Sequence, residues 1–167
     1  MFYLDLFKAL QKEKVDYVLV GGLAVNFHGV ERATMDVDLT LAMDQANLQR
    51  FLKVANKLKL KPILPVPIAS LCDARQLADW KQSKHLIAFS LHSPAHTLPT
   101  VDIIVQPKVP FDKMYRSRIE KDLSGVAVSF ASVDDLIALK TGTGRKQDVS
   151  DIQALKLVRK LAHKAKK

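Results

Sequence analysis

Residues 21–41 read GGLAVNFHGVERATMDVDLTL and follow the apolar run YVLV at 17–20. The run has the pattern of a short buried strand, and two consecutive glycines end it. Residues 37–41 alternate apolar and polar side chains, which predicts a second strand with one face on the core. Because residues two apart point the same way, Asp36 and Asp38 project together from the other face. The stretch therefore predicts a strand, a tight turn, a short helix and a returning strand that carries two carboxylates.

The remainder of the chain alternates helical and strand patterns. Apolar spacing of three and four residues predicts helices around Leu4 to Leu10, after Asp44, over 70–82, over about 110–121, after Ser132, and around Ile152 to Ala162. Strands are predicted at 85–91, 101–105 and 126–130, with the turn-rich HSPAHTLP at 92–99 separating the first two. This order predicts an α/β or α+β domain of about four to five strands with helices packed on them. We expect one domain, residues 1–167, that ends in a helical segment at about 132–165.

Composition excludes several classes of protein. Of the 167 residues, 48% are hydrophobic and 26% are charged, which is typical of a folded globular chain and not of a disordered one. The single Cys72 excludes an internal disulfide. The N-terminus carries Asp5 and Lys8 within its apolar stretch, which is typical of an amphipathic helix and not of a signal peptide. We expect a soluble cytoplasmic protein with no membrane partner.

The chain is basic, with 26 Lys and Arg against 17 Asp and Glu and a formal charge of +9. Such a surface attracts polyanions, including nucleotides and nucleic acid. Part of the excess lies in the tail KLAHKAKK at 160–167. That tail is either a solvated helix end or a nucleic-acid contact.

Asp36 and Asp38 are candidate metal ligands. Two carboxylates held together favour a cation, and Mg²⁺ binds carboxylates together with substrate phosphates. Gly21 and Gly22 permit the backbone to approach an anion closely. Each feature has an ordinary alternative, since an exposed Asp-x-Asp is commonly a solvated pair and a Gly-Gly turn commonly binds nothing. Neither the Rossmann nor the P-loop glycine spacing is present.

Together these features resemble the polymerase-beta-like nucleotidyltransferases, which combine a Gly-Gly or Gly-Ser turn with an Asp-x-Asp strand about a dozen residues later. The matching residues are Gly21, Gly22, Asp36 and Asp38. The family carries a third carboxylate on a later strand, and Asp102 in TVDII matches it. The resemblance implies the nucleotidyltransferase fold, a mixed sheet with helices packed on it.

A narrower resemblance covers two segments. GGLAVNFHGVERATMDVDL and the later SVDDLIALKTGTGRKQDVSDI are similar to a subgroup that includes abortive-infection toxin nucleotidyltransferases and minimal nucleotidyltransferases of toxin–antitoxin loci. It implies that Lys140 contacts the triphosphate, while Arg145, Asp148 and Asp151 build the end of the site. The chain departs from the pattern at Gly22, where the Gly-Ser form has Ser, and at Gln147, where the subgroup has Lys.

The resemblance also implies a mechanism. Asp36 and Asp38 hold two Mg²⁺ ions, and Asp102 helps to hold the catalytic one and lowers the pKa of an acceptor hydroxyl. That hydroxyl attacks the α-phosphorus of an NTP, and pyrophosphate leaves. Arg32 and Thr34, just before the carboxylates, are candidate nucleotide contacts, with an Arg–Asp pair as the alternative for Arg32. His28 has apolar neighbours and is interpreted as structural.

Three functions remain open at this stage. The first is an active Mg²⁺-dependent nucleotidyltransferase that modifies a protein, tRNA or small molecule, with membership of a toxin–antitoxin pair as one setting for it. The second is a catalytically silent member that acts as an antitoxin or a binding module. The third, a plain nucleic-acid-binding domain, has the charge but lacks a stacking aromatic motif.

Overall fold

A computed structural model of the chain describes residues 2–93 and 96–164. Its helices are α1 (Phe2–Lys12), α2 (Gly21–Phe27), α3 (Gln45–Lys57), α4 (Ala74–Ser83), α5 (Phe111–Ser117), α6 (Val133–Lys140) and α7 (Lys146–Lys164), with a 3₁₀ turn at Ile68–Cys72. Its strands are β1 (Tyr17–Val20), β2 (Val37–Leu41), β3 (Lys61–Pro62), β4 (Ala88–Ser93), β5 (His96–Ile104), β6 (Ile119–Asp122) and β7 (Ala127–Phe130).

The strands form one mixed sheet in the order β3-β4-β5-β2-β1-β7-β6. β2 runs parallel to β5 and β1 runs parallel to β7, whereas the other neighbours are antiparallel. The predicted mixed α/β class is confirmed, but the sheet is larger than the four to five strands expected. The additional strands, β3 and β6, are edge strands, whose residues lack the alternating burial that identifies a strand in a sequence.

The centre of the sheet follows from the opening stretch of sequence. All four residues of β1 are buried, as expected for an apolar strand between two others. Val20 of β1 pairs with Asp38 of β2, and Asp38 in turn pairs with Asp102 of β5. The carboxylates therefore lie on adjacent strands in the middle of the sheet, beside the start of α2.

A single hydrophobic cluster holds the sheet and helices together. Its largest fully buried side chains include Phe7 of α1, Phe51 of α3, Phe89 of β4 and Phe130 of β7. α3 begins where the sequence predicts, because the side chain of Asp44 accepts a hydrogen bond from the backbone of Asn47 at 3.0 Å. Such a cap satisfies one of the free donors of the first turn.

Two predicted elements in the second half of the chain are wrong in part. The helix predicted over about 110–121 ends at Ser117, and its last residues form β6, which pairs with β7. The predicted turn at 92–99 is mostly strand, since β4 continues to Ser93 and β5 begins at His96. Residues 94 and 95 lie outside the described residues. The register of the two strands shifts between His92 and Ser93, which is an irregularity of the β-bulge type.

The remaining predictions agree more closely. The helix predicted over 70–82 is α4, preceded by the 3₁₀ turn, and the strand predicted at 126–130 is β7. The side chain of Ser132 accepts a hydrogen bond from the backbone of Asp135 at 3.2 Å and so caps α6. α6 and α7 make up the predicted helical segment at about 132–165, and residues 165–167 of the basic tail lie outside the described part. No helix in the described ranges has the length and apolar character to span a bilayer.

Candidate active site

Asp38 and Asp102 lie side by side on parallel strands. They are register partners in β2 and β5, and neighbouring strands are about 4.8 Å apart. Asp36 lies just before β2, where one of its carboxylate oxygens accepts a hydrogen bond from the Thr100 hydroxyl at 2.9 Å. The backbone N–H of Thr100 donates a longer bond of 3.4 Å to the same oxygen. The sheet thus gathers the three predicted carboxylates, although Asp36 is turned toward Thr100.

The electrostatics of this cluster favour a positive ligand. Burial, reinforced by the negative charges of Asp102 and Asp36, raises the pKa of Asp38 to about 6, against a smaller opposite effect from Lys140 and Arg145. One carboxylate oxygen of Asp102 is buried and accepts no hydrogen bond. A buried acceptor without a partner costs free energy, so a cation or donor bound there would be stabilising.

Gly21 lies against the carboxylate of Asp38. Its φ is +66°, and a Cβ at this position would come within 1.9 Å of the Asp38 Oδ2 atom. Both the backbone conformation and the close approach require glycine. α2 starts at this residue, and its preceding residue Val20 provides no side-chain cap. Free backbone donors of the first helical turn therefore lie beside the carboxylate cluster.

Gly22 supports the second group of predicted residues. A Cβ there would lie 2.3 Å from Nη1 of Arg32 and 2.8 Å from the hydroxyl of Thr34, so both side chains pack on the bare glycine. Nη1 of Arg32 is also 3.0 Å from Oδ2 of Asp151, although the angles are not those of a hydrogen bond. The side chain of Arg32 is one fifth exposed and that of Asp151 is almost fully buried. Arg32 therefore forms the Arg–Asp pair that the sequence offered as the alternative to a nucleotide contact, and the pair is mostly buried.

Lys140 is part of the same ion-pair network. Its Nζ lies 2.8 Å from Asp148 and 2.8 Å from Asp151, and all three side chains are less than a tenth exposed. At position 147, where the toxin-type subgroup has Lys, this chain has Gln. The side-chain amide of Gln147 donates a hydrogen bond of 3.1 Å to Asp151. The ammonium group of Lys140 is therefore held by two carboxylates and not directed into open space.

Arg145 completes the network from the solvent side. Its Nε donates a hydrogen bond of 2.7 Å to Asp148, while its side chain remains 75% exposed. Burial by itself would raise the pKa of Asp148, but the hydrogen bonds from Lys140 and Thr143 and the charges of Lys140 and Arg145 outweigh it and hold the pKa at about 2. The exposed guanidinium of Arg145 is the cation of this network that a ligand can reach.

Residues 4–165 match a protein family described as nucleotidyltransferase of unknown function (DUF6036). The chain belongs to this nucleotidyltransferase family. No curated protein sequence matches the chain. The narrower resemblance to abortive-infection toxin nucleotidyltransferases stays a prediction.

Solved structures of nucleotidyltransferases share the fold of this family member. The lincomycin-bound lincosamide antibiotic adenylyltransferase LnuA aligns over 94% of this chain and 94% of its own, with a TM-score of 0.57 and 14% identity. The antibiotic-resistance factor ANT(2'')-Ia aligns over 98% and 90%, with a TM-score of 0.53 and 11% identity. An antigenic nucleotidyltransferase-like protein from Paracoccidioides brasiliensis aligns over 90% and 71%, with a TM-score of 0.53 and 19% identity. At these identities the likeness concerns the fold alone.

The carboxylates of this nucleotidyltransferase fit a metal ion in part. Within the described ranges, no three His, Cys, Asp or Glu side chains are grouped so that they could hold one ion together. The carboxylate of Asp36 accepts a hydrogen bond from the Thr100 hydroxyl. The free buried oxygen of Asp102 and the raised pKa of Asp38 do suit a cation. For Asp36 to bind the same cation through this oxygen, its hydrogen bond with Thr100 has to break.

Sequence reasoning missed Thr100 and interpreted His28 as structural. Thr100 lies two residues before Asp102 on the same strand, so the period of two could have placed both on one face. Nε2 of His28 lies 2.8 Å from the carbonyl oxygen of Ala131, and the ring packs edge-on against Phe130. Burial lowers the pKa of His28. His28 therefore supports packing between α2 and the end of β7.

Two hollows of the surface are lined by residues other than Asp36, Asp38 and Asp102. One, of about 410 Å³, is lined by Asn26, Gly29, Val30, Glu31 and Arg32. It shares Arg32 with the glycine turn. A larger one, of about 860 Å³, lies near the β3 edge between Asn56 and Ile68.

Proposed function

We propose that the chain is an enzyme that transfers a nucleotidyl group from an NTP to a hydroxyl acceptor with Mg²⁺ as cofactor. The observation that carries the proposal is the pair Asp38 and Asp102, with which no Lys or Arg of the described part of the chain forms an ion pair. The pKa of Asp38 is raised to about 6, and one oxygen of Asp102 is buried without a partner. Side chains with strongly shifted pKa values are concentrated at functional sites, and a bound cation would offset the repulsion between these two carboxylates.

Each carboxylate has a role in the proposed reaction. Asp36, Asp38 and Asp102 would hold Mg²⁺, which when bound neutralises charge on the phosphates of the substrate. Asp102 accepts the proton of the acceptor hydroxyl. The hydroxyl oxygen forms a bond to the α-phosphorus, the bond from that phosphorus to the pyrophosphate oxygen breaks, and pyrophosphate leaves.

The nucleotide would bind on the side of the glycine turn. The backbone of Gly21 and Gly22 approaches the triphosphate, with Arg32 and Thr34 behind the turn. Arg145 is exposed and can contact the phosphates directly. Asp148 and Asp151 bind the ammonium group of Lys140. We therefore propose that Lys140 positions these two aspartates and also contributes positive charge near the triphosphate, as the resemblance implies.

The molecule that receives the nucleotidyl group determines the specific reaction of this enzyme. LnuA is described as a lincosamide antibiotic adenylyltransferase with lincomycin bound, and ANT(2'')-Ia is described in complex with adenylyl-2''-tobramycin, which supports a small molecule as one class of acceptor. A tRNA or the partner protein of a toxin–antitoxin pair are the other acceptors that the sequence resemblance implies. All of them supply a hydroxyl, which is the chemistry that the carboxylate cluster requires.

The test is label transfer. Purified protein is incubated with each α-labelled NTP, Mg²⁺, and in turn total tRNA, candidate proteins and small polyols. We expect one acceptor to be labelled by wild type and none by Asp36→Ala/Asp38→Ala. Asp134→Ala is the matched control, because Asp134 is exposed and pairs only with Arg159 on the surface. Absence of label with wild type refutes the enzyme, and label that persists in the double variant refutes the site.

A further inference from the structure

Helix α7 presents large apolar side chains to solvent. Val149, Leu157 and Leu161 are each more than half exposed. They lie in one row of the helix surface, in which every fourth residue is a neighbour, and Gln153 fills the remaining place in that row. Single exposed apolar residues are ordinary on a protein surface, but three in one row form an apolar face. We call these four residues the α7 stripe.

The α7 stripe is not the face by which the helix joins its own fold. α7 packs against α6, and Leu155 of α7 belongs to the hydrophobic core. Asp148 and Asp151 are buried and bind Lys140 of α6. At 3.6 residues per turn, these inward residues and the stripe lie on opposite sides of the helix. The described part of the chain therefore leaves the stripe uncovered.

A row of lysines runs beside the stripe. Lys156, Lys160 and Lys164 also recur at every fourth residue, and all three are exposed. Lys160 follows Leu157 by three positions and Lys164 follows Leu161 by three, so each leucine has a lysine as a neighbour on the helix surface. Within the described ranges, none of these lysines forms an ion pair. Positive charge without a partner therefore borders the apolar face.

The charge of this face argues against a second copy of the chain as its occupant. Residues 152–167 contain six Lys and Arg and no Asp or Glu. The carboxylates of α7, Asp148 and Asp151, are buried on the inward side. Two copies that met through the stripe would bring lysines close to lysines, and such a juxtaposition of like charges is unfavourable. The complementary occupant is acidic.

The leucines distinguish among acidic occupants. A nucleic acid would contact the lysines through its phosphates but would leave Leu157 and Leu161 in water. Helices that lie in a membrane interface bury a wide apolar face that commonly includes Trp or Phe, whereas the stripe has no aromatic residue and the opposite side of α7 packs on α6. A protein surface with an apolar centre and an acidic flank complements both the leucines and the lysines.

We propose that the α7 stripe is the docking surface for a partner protein, which binds through an amphipathic helix with aliphatic residues at its centre and Asp or Glu along one flank. A row of residues four apart forms a ridge that packs into the groove between the ridges of a second helix. Docking removes Leu157 and Leu161 from water and brings the acidic flank to the lysine row. The inference goes beyond the proposed reaction, and its tests require neither NTP nor metal.

A designed peptide tests the surface. The probe is a helical peptide of about four heptads with Leu at positions a and d and Glu at e and g, whose like charges oppose its own association. Its binding to the full chain is measured by fluorescence anisotropy. We expect saturable binding that weakens with added salt, and binding about tenfold or more weaker for a peptide with Lys in place of every Glu. Equal binding of the two peptides, or binding of neither, overturns the inference.

The apolar centre is tested by substitution. Leu157→Ala/Leu161→Ala is expected to weaken binding of the acidic peptide by about tenfold or more, because truncation of a central anchor commonly costs that much affinity. The matched control is Ile63→Ala/Leu64→Ala, which truncates two exposed apolar residues away from α7 and should bind as wild type does. Equal losses in the two variants overturn the inference.

The lysine row is tested separately. Lys156→Glu/Lys160→Glu/Lys164→Glu is expected to reverse the preference, so that the basic peptide binds more tightly than the acidic one. The thermal midpoint should stay close to that of wild type, because the three side chains are exposed and have no ion-pair partner among the described residues. A variant that keeps the wild-type preference for the acidic peptide contradicts the role of the lysines and overturns the inference.

The other occupants give distinct results. Sedimentation of the protein alone is expected to show a monomer, and vesicles of phosphatidylglycerol and phosphatidylcholine are expected to bind wild type and Leu157→Ala/Leu161→Ala equally. A dimer that dissociates in the leucine variant assigns the stripe to a second copy. Vesicle binding that is lost in the same variant assigns it to a membrane. Either result overturns the inference.

The native partner is sought by crosslinking in cells of the source organism. Leu157 is replaced by a photoreactive phenylalanine derivative, and the protein is irradiated in cell extract with or without the two peptides. We expect a crosslinked protein with an acidic amphipathic helix, which the acidic peptide displaces and the basic peptide does not. A crosslinked protein that resists both peptides binds elsewhere and overturns the inference.

Discussion

Two clusters of aspartates in this protein have the same residue type and opposite electrostatics. In the first, Asp38 and Asp102 lie next to each other, and the pKa of Asp38 is raised to about 6 by burial and by neighbouring carboxylates. In the second, Asp148 and Asp151 bind Lys140 at 2.8 Å, and the pKa of Asp148 is held at about 2. The second cluster is internally neutralised, whereas the first is not.

The difference teaches how to tell a ligand site from a structural ion pair. Each cluster includes a residue from a pair of closely spaced aspartates, Asp38 from the Asp-x-Asp at 36–38 and Asp148 from the Asp-x-x-Asp at 148–151, and the spacing alone does not separate the two clusters. The two clusters differ in whether positively charged side chains of the same fold neutralise the aspartates. A carboxylate cluster that the fold leaves without a cation is the one expected to bind a metal ion or a substrate.

Removing a carboxylate from the first cluster should produce the largest change in activity. Asp102→Asn is isosteric and removes one negative charge, so we expect nucleotidyl transfer to fall by about a thousandfold or more, since metal ligation supplies several kcal/mol of transition-state stabilisation. Stability should stay equal or rise, because repulsion with Asp38 is lost. The measurements are the initial rate with labelled NTP and the thermal midpoint. A variant with normal activity would remove Asp102 from the site.

Removing a carboxylate from the second cluster should instead destabilise the fold. Asp151→Ala leaves Lys140 with one partner and Arg32 with none of its present carboxylate contacts, and breaking a buried ion pair costs about 3 kcal/mol or more. Urea unfolding measures the change. Arg159→Ala, which breaks the exposed pair with Asp134, is the control and should cost less than about 1 kcal/mol. Similar losses in both variants would contradict the distinction between the clusters.

The two clusters should respond to pH with opposite sign. In metal-free protein the folded pKa of Asp38, about 6, exceeds the ordinary value of 3.8, so the native state binds more protons between these values and the free energy of unfolding falls as pH rises. Asp148 has a folded pKa of about 2, so its contribution is present above about pH 4 and is lost as pH falls through 2. Each effect is on the order of 2 kcal/mol.

The pH effect is measured by urea unfolding of Asp38→Asn and Asp148→Asn across the acidic range. Relative to wild type, Asp38→Asn should gain stability as pH rises from about 4 to 7. Asp148→Asn should lose stability relative to wild type as pH rises from about 2 to 4. The same sign in both variants would show that the clusters are electrostatically alike.

The smallest expected difference is between alanine variants of two glycines, one of which lies beside the first cluster. Gly21 and Gly29 both have positive φ, but a Cβ at Gly21 would meet the carboxylate of Asp38, whereas one at Gly29 would meet nothing within 4 Å. Both alanine variants should lose about 1–2 kcal/mol from the backbone conformation. Gly21→Ala should lose about 1 kcal/mol more and also reduce activity. Equal stability of the two variants would mean that Asp38 moves aside without cost.

Local patterns in the sequence predicted the elements that local physics decides. The apolar run of β1, the alternation of β2 and the caps at Asp44 and Ser132 depend on side-chain periodicity and on hydrogen bonds between residues three apart. These predictions are confirmed. β3 and β6 were missed because an edge strand is defined by pairing with a distant partner and not by a pattern of its own.

The candidate site divides in the same way. The glycine turn and the Asp-x-Asp strand singled out Gly21, Asp36 and Asp38, and the resemblance to the nucleotidyltransferases added Asp102. It implied a role for Lys140 but not its partners. Their pairing depends on how α6 and α7 dock, because the free energy of an ion pair is set by burial and distance.

Only the tertiary structure decided which polar residues share a surface. Thr100 reaches Asp36 across 64 positions of the chain, and Ser90 lies beside Asp102 because β4 and β5 pair in one particular register. A shift of that register by one residue would turn Ser90 and His92 into the core. Periodicity tells which residues of a strand share a face, whereas the packing of the whole sheet decides what that face is next to.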